Sequence, residues 1–165
     1  MHREHIDARA DRKTEHGFTL LELMMVILII AILIAVLMPV FIGASNRAKD
    51  RAMQSNLSTA ITAAKGIYTD KTDYTLATPA ALTVEAGALN FVSSTTAPAS
   101  QRAVSVNAVN SGYIVLGGQS KSGDCFYVSD DETTGTTLYA RLGGAGGCAA
   151  AGAPLPGDTT WKTTW

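Results

Sequence analysis

One carboxylate, Glu22, stands immediately before a run of twenty uncharged residues from Leu23 to Ile42. Moving an unpaired carboxylate into hydrocarbon costs several kcal/mol, so a buried Glu22 would need a cation beside it. The alternative is a carboxylate that stays hydrated at the edge of the apolar run, where its cost is small. Ion pairing is therefore the chemistry that this position offers, and the neighbouring residues decide between the two interpretations.

The apolar run is long enough to cross a bilayer. At about 1.5 Å rise per residue, a helix of this length covers the roughly 30 Å of bilayer hydrocarbon. A secretory signal has a shorter apolar core and a small-residue cleavage site after it, so cleavage in the sequence IGAS remains a lesser alternative. Basic residues flank both ends of the run and leave its orientation open: Arg3, Arg9, Arg12 and Lys13 before it, and Arg47, Lys49 and Arg51 after it.

The sequence GFTLLE, residues 17–22, followed by the apolar run and Pro39, closely resembles the N-terminal processing site of type IV prepilins and pseudopilins. The resemblance extends to about residue 68. It implies that a prepilin peptidase cuts between Gly17 and Phe18, removes residues 1–17 as a leader, and methylates the new amino group of Phe18. The resemblance also implies a helical homopolymer, built at an inner-membrane assembly platform from subunits first held in membrane lipid.

Cleavage gives the ionisable residue at the start of the run a function. The new α-amino group of Phe18 is positive, so it stabilises an ionised Glu22 in an apolar environment. If the amine belongs to an incoming subunit and the carboxylate to its neighbour, the pair sets the axial register of the assembly. Pro39 removes an amide donor and is predicted to kink or open the helix; in the resembling filaments the stretch before this proline is melted.

The pattern beyond the apolar run predicts an α+β fold of the pilin type. Apolar residues at spacings of three and four continue the helix through residues 43–70, behind a membrane or filament-core segment at 18–42. Residues 71–165 are predicted to form a globular head. Four short β-branched or aromatic runs, at residues 102–109, 112–118, 124–130 and 136–142, predict a four-stranded antiparallel sheet under the helix.

Two groups of residues in the head could form a covalent bond or bind a metal ion. Cys125 and Cys148 are the only cysteines, and in an exported domain such a pair most often forms a disulfide, here tying the glycine-rich C-terminal region to the third predicted strand. Asp130, Asp131 and Glu132 offer the oxygen ligands that calcium takes, as in some secretion pseudopilins. A solvated turn is the commoner explanation for such carboxylates, and we predict no metal or cofactor.

Composition argues for a structural protein rather than an enzyme. All three histidines, His2, His5 and His16, lie in the leader, and no nucleophile or metal constellation is recognisable after it. Thirteen basic and fourteen acidic residues give no charge excess for nucleic acid. We predict a pilin for adhesion, motility or DNA uptake, located in the cytoplasmic membrane and then in a surface filament. The alternatives are a pseudopilin or minor pilin of a secretion or competence machine, and, from another class, a bitopic membrane receptor or enzyme.

Overall fold

The computed structural model describes residues 17–144 and 147–165. The predicted leader therefore lies outside the described residues, except for Gly17. The chain divides into two compact units, one ending at Phe41 and the other running from Ile42 to Trp165. One helix, α1, spans Leu20–Lys71 and belongs to both units.

Helix α1 continues through Pro39 and ends close to the predicted position. Its buried residues in the second unit recur at three- and four-residue spacing, which is the period of one helix face. They are Asp50, Met53, Leu57, Ala60, Ile61 and Ala64. After Lys71, Thr72 takes a positive φ of 54° and its amide donates to the carbonyl of Tyr68 at 2.6 Å, which closes the last turn.

The sheet has five strands, one more than the sequence predicts. Their bounds are β1 Asn90–Ser93, β2 Ala103–Asn110, β3 Tyr113–Gln119, β4 Cys125–Asp131 and β5 Thr136–Leu142, and they lie in chain order across the sheet. Strands β2 to β5 are antiparallel and correspond to the four predicted runs. The α+β prediction of a long helix packed on such a sheet is confirmed.

Strand β1 pairs with β2 in parallel, and the pattern of its sequence did not predict a strand. It has only four residues, of which Phe91 alone is buried, so no alternation of apolar and polar residues marks it. A short helix α2, Pro79–Glu85, and a 3₁₀ turn, Tyr74–Leu76, connect α1 to this edge of the sheet. The pairing of β1 is therefore set by its neighbour in space rather than by its own sequence.

The two faces of the sheet pack against different parts of the second unit. On one face Val104, Leu116, Phe126 and Val128 pack with the buried stripe of α1. On the other face the C-terminal region contributes Cys148 and Trp161 to a second cluster with Val115, Cys125, Tyr127 and Ala140. Successive β-strand residues point to opposite faces, which is why Phe126 and Tyr127 fall in different clusters.

Candidate functional site

The predicted processing site lies at the start of the described chain. Gly17 and Phe18 precede α1, and both are exposed. A Cβ added to Gly17 would meet no atom within 4 Å, so packing within this chain does not require a glycine at this position. Phe18 is 78% exposed. The geometry leaves both residues accessible to another protein.

Helix α1 begins with a polar cap that sequence reasoning overlooked. The hydroxyl of Thr19 accepts a hydrogen bond from the amide of Glu22 at 3.1 Å, which satisfies one of the free donors of the first turn. Thr19 and Glu22 stand in the Ser/Thr-x-x-Glu spacing of a capping box, the signal that could have predicted this cap. Glu22 consequently lies in the first turn of α1, at the positive end of the helix dipole.

Glu22 has no ion-pair partner within residues 17–144 and 147–165. The structure places it one helical turn from Phe18, whose α-amino group exists only after cleavage. The two residues lie in one region of the chain, and only Glu22 carries a charged group before cleavage. Any pairing of the carboxylate with an amine therefore involves chemistry that the uncleaved single chain does not contain.

The first half of α1 exposes an unbroken apolar surface. Every large apolar side chain from Phe18 to Ile42 is between 47% and 79% exposed. The helix is long and apolar enough to cross a membrane, with a mean hydropathy of 3.3 over its most apolar eighteen residues. Pro39 was predicted to kink or open the helix. In the structure α1 continues through Pro39, so the helix is not opened there. Such a surface is stable in lipid or against other apolar helices, and not in water.

In the head, a buried carboxylate on α1 anchors the helix near the point where the second unit begins. Asp50 is only 7% exposed, and it accepts hydrogen bonds from the hydroxyls of Ser120 and Ser122 in the turn between β3 and β4. Arg141 on β5 lies 3.5 Å from the other oxygen of Asp50 and also pairs with Asp124. Sequence reasoning missed this anchor, although Asp50 lies three residues before Met53 on the predicted apolar stripe.

A second buried carboxylate, Asp130, anchors the far end of α1. Lys65 donates to one of its oxygens at 2.7 Å, and the hydroxyl of Tyr74 donates to the other at 2.6 Å. Thr137 on β5 completes the set. The carboxyl group is 2% exposed, so each of its contacts is made inside the protein. We call this set of four residues the Asp130 cluster.

The candidate calcium ligands have other partners in this geometry. Asp130 is engaged by the cluster, Asp131 accepts bonds from Thr133 in the following turn, and Glu132 accepts from the Tyr74 hydroxyl at 3.2 Å. No group of three or more His, Cys, Asp or Glu side chains within the described ranges is arranged to hold a metal ion. The hydrogen bonds of Asp130 instead hold α1 against the sheet, and we call this contact the clamp.

The electrostatics of the clamp follow from burial and from charge pairing. Burial by itself would raise the pKa of Asp130, but hydrogen bonds from Lys65, Thr137 and Tyr74 outweigh it and hold that pKa below its ordinary value. Burial, followed by the hydrogen bond and charge of Asp130, raises the pKa of Tyr74 well above its ordinary range. At neutral pH the cluster therefore contains Asp130 as an ionised carboxylate and Tyr74 as a neutral phenol.

Cys125 and Cys148 form a disulfide across 23 residues of chain. Both half-cystines are buried on the sheet face opposite α1. The C-terminal region also contacts the sheet directly. The amide of Ala150 donates to the Ser105 hydroxyl at 2.9 Å, and Trp161 packs in the cluster on the same sheet face. The disulfide thus ties to β4 a segment that also packs on the sheet face opposite α1.

Comparison with known proteins identifies the N-terminal region alone. A family model described as the prokaryotic N-terminal methylation motif matches residues 12–38. The match covers the predicted cleavage junction, Glu22 and the apolar run as far as Met38. Comparisons with curated proteins and with solved structures found no match.

Proposed function

We propose that this chain is a type IV pilin-like prepilin, and that its mature form is a structural subunit that polymerises into a type IV pilus-like filament. The observation that carries the proposal is the first half of α1. It presents a continuous apolar surface directly after the processing motif, and it is joined to a folded head. A helix of this kind needs lipid before assembly and the helices of other subunits after it.

The first step is processing in the membrane. A prepilin peptidase removes the polar leader at the Gly17–Phe18 bond and methylates Phe18. The exposure of both residues and the open space at Gly17 support this step, because the junction is accessible and nothing in the fold requires the glycine. The processed subunit then remains in the cytoplasmic membrane through α1 until the assembly platform extracts it.

The second step is assembly, in which Glu22 of one subunit pairs with the Phe18 amine of another. Ion pairing offsets the cost of taking both charges out of water, whereas either charge alone would be strongly unfavourable in the filament core. The position of Glu22 in the first turn supports this role, because the helix dipole already stabilises its carboxylate. The charge pair then selects one axial register among the many that apolar packing would allow.

A pseudopilin or minor pilin uses the same processing motif, and the buried disulfide favours the pilin by stabilising a head that is exposed on a filament surface. A membrane receptor or enzyme would not require Gly17 or a free Phe18 amine. The head also has no histidine. We therefore assign a structural role, with the filament serving adhesion, motility or DNA uptake.

The test is to shear cells that produce the protein and to analyse the released filaments by mass spectrometry. We expect this chain as the most abundant filament protein, beginning at N-methylated Phe18. Gly17→Trp should leave uncut precursor in the membrane and no filaments. A processed protein that stays scarce in the sheared fraction, together with a secretion or transformation defect on its deletion, would identify the pseudopilin. Filaments that retain residues 1–17 would contradict the proposal altogether.

A further inference from the structure

A pocket in the head is lined by aromatic and polar side chains that the proposed assembly does not use. It has a volume of about 440 Å³ and lies between Gln54 on α1, the end of β5, and the C-terminal residues 159–165. This is within the size range of sites that hold one small molecule. The pocket lies on the helix-facing side of the sheet, because Phe126 and Tyr139 at its floor pack with that core.

The floor of the pocket is aromatic. The Trp165 ring lies 4.7 Å from the Tyr139 ring and 5.6 Å from the Phe126 ring, measured between centroids. Phe126 is buried, Tyr139 is half-buried, and Trp165 remains 40% exposed. Trp165 is thus held in place by two neighbouring rings while part of its own surface is open to a ligand.

The rim of the pocket carries hydrogen-bonding groups that the fold leaves free. Within the described residues, no hydrogen bond is formed by the side chains of Gln54, Tyr139, Thr159, Lys162, Thr164 or Trp165. Together they offer an amide, hydroxyls, an ammonium group and an indole N–H. A ligand with several hydroxyl groups would satisfy them, whereas a purely apolar ligand would remove them from water without replacement.

Charge excludes the commonest competing ligands. The described lining has no carboxylate side chain, so it lacks the acidic ligands that usually hold a divalent cation. The Arg141 guanidinium, 5.6 Å above the Phe126 ring, is already paired with Asp124 and Asp50, which leaves Lys162 as the lining's remaining side-chain cation. One cation at an exposed rim is a poor site for a phosphate group.

We propose that this pocket binds a pyranose unit of a saccharide, with the ring's C–H face against Trp165 and Tyr139 and its hydroxyls toward the rim. An aromatic floor with a polar rim complements a sugar ring, which has apolar faces and a hydroxylated edge. The proposal does not depend on polymerisation, because every lining residue belongs to the head of one subunit. Failure of filament assembly and failure of sugar binding are therefore separate results.

The test uses processed, full-length protein in micelles of an amine-oxide detergent, because glycoside detergents would compete. The probes are the methyl glycosides of glucose, galactose, N-acetylglucosamine and glucuronic acid. In a Trp161→Phe background, Trp165 is the single tryptophan and reports binding by its fluorescence. We expect saturable binding of at least one probe at millimolar concentration, confirmed by saturation-transfer NMR.

Matched variants locate the binding. Trp165→Ala should weaken it about tenfold, as expected for loss of one aromatic stacking partner. Trp161→Phe should leave affinity unchanged by NMR, since Trp161 is buried on the opposite sheet face. Tyr139→Phe keeps the ring and should weaken binding severalfold, which preserves the test if Trp165→Ala misfolds. Absence of binding by all four probes, or undiminished binding in a folded Trp165→Ala protein, overturns the proposal. Loss of filaments by a folded Trp165→Ala protein that binds no less sugar also overturns it, because the pocket would then be an interface between copies.

Discussion

From Leu20 to Phe41, helix α1 exposes all its large apolar side chains, and its carboxylate at Glu22 has no cation partner among the described residues. From Ile42 to Lys71, the same helix buries one apolar stripe, and its Asp50 and Lys65 form ion pairs with residues of the sheet. The second half is completed by its own chain. Within the described single chain the first half lacks both an apolar environment and a counter-ion, and in the proposed filament the neighbouring subunits supply both.

The strongest test of this contrast is to remove the charge of Glu22. Glu22→Gln should insert and be cleaved normally but should accumulate as processed monomer, because the Phe18 amine would enter the filament core unpaired. Breaking one partner of a buried pair costs about 3 to 5 kcal/mol. Shearing and electron microscopy measure the filament yield, and Glu85→Gln on exposed α2 is the control that should not change it. A normal yield from Glu22→Gln would favour the hydrated carboxylate.

Loss of the disulfide should destabilise the head and leave the first half of α1 unaffected. Replacing Cys125 and Cys148 together by Ala should lower the free energy of unfolding of the head by about 3 kcal/mol in the chain-entropy model. Urea unfolding in micelles, followed by tryptophan fluorescence, measures it. Wild-type protein under reducing conditions should match the variant. Cleavage at Gly17 should continue unchanged, and a processing defect would show that the two halves are not independent.

Asp130→Ala tests the clamp at the far end of α1. We expect a loss of about 2 to 3 kcal/mol in unfolding free energy, below the usual cost of breaking a buried pair because the Lys65 side chain is 42% exposed. Asp131→Ala, one residue along the same strand, should cost about 1 kcal/mol or less, since it removes only turn hydrogen bonds. The same urea experiment compares them. Equal losses in the two variants would argue against the clamp.

The clamp also predicts a dependence of stability on acid. The pKa of Asp130 lies below its ordinary value of 3.8 in the folded protein, so its contribution is complete above that pH and is lost as the pH falls toward the folded pKa. Asp131 and Asp158 also have lowered pKa values and should leave a residual slope. Urea midpoints measured between neutral pH and acid should therefore fall less steeply in Asp130→Ala than in the wild type. Parallel curves would show that Asp130 is not the titrating group.

The smallest effect is expected where α1 ends. Thr72 has a φ of 54°, a left-handed conformation that a β-branched residue adopts at a cost and glycine adopts freely. Thr72→Gly should therefore stabilise the head by about 1 kcal/mol. Thr69→Gly, inside the last turn, should destabilise it by about 0.3 to 0.5 kcal/mol, because threonine is itself a poor helix former. Thermal unfolding distinguishes the two signs, and destabilisation by both changes would show that the Thr72 side chain matters more than its backbone.

The order of residues along the chain was sufficient to predict the processing junction, the apolar helix and the four antiparallel strands. These features rest on local patterns: a glycine before an aromatic residue, twenty uncharged residues, and short β-branched runs between turns. The capping relation between Thr19 and Glu22 was equally local and was present in the sequence. Periodicity also placed Met53, Leu57 and Ala64 on one buried helix face.

Only the tertiary structure decided which polar residues meet. Asp50 is separated from Ser120 by 70 positions and Lys65 from Thr137 by 72, so no window along the chain relates them. The same holds for β1, which is a strand because β2 lies beside it, and for the pocket that Trp165 completes against Tyr139 and Phe126. Sequence determines periodicity and local chemistry, because these depend on neighbours along the chain. Partners far apart in sequence meet only after α1 has packed on the sheet and the C-terminal region has folded around β5.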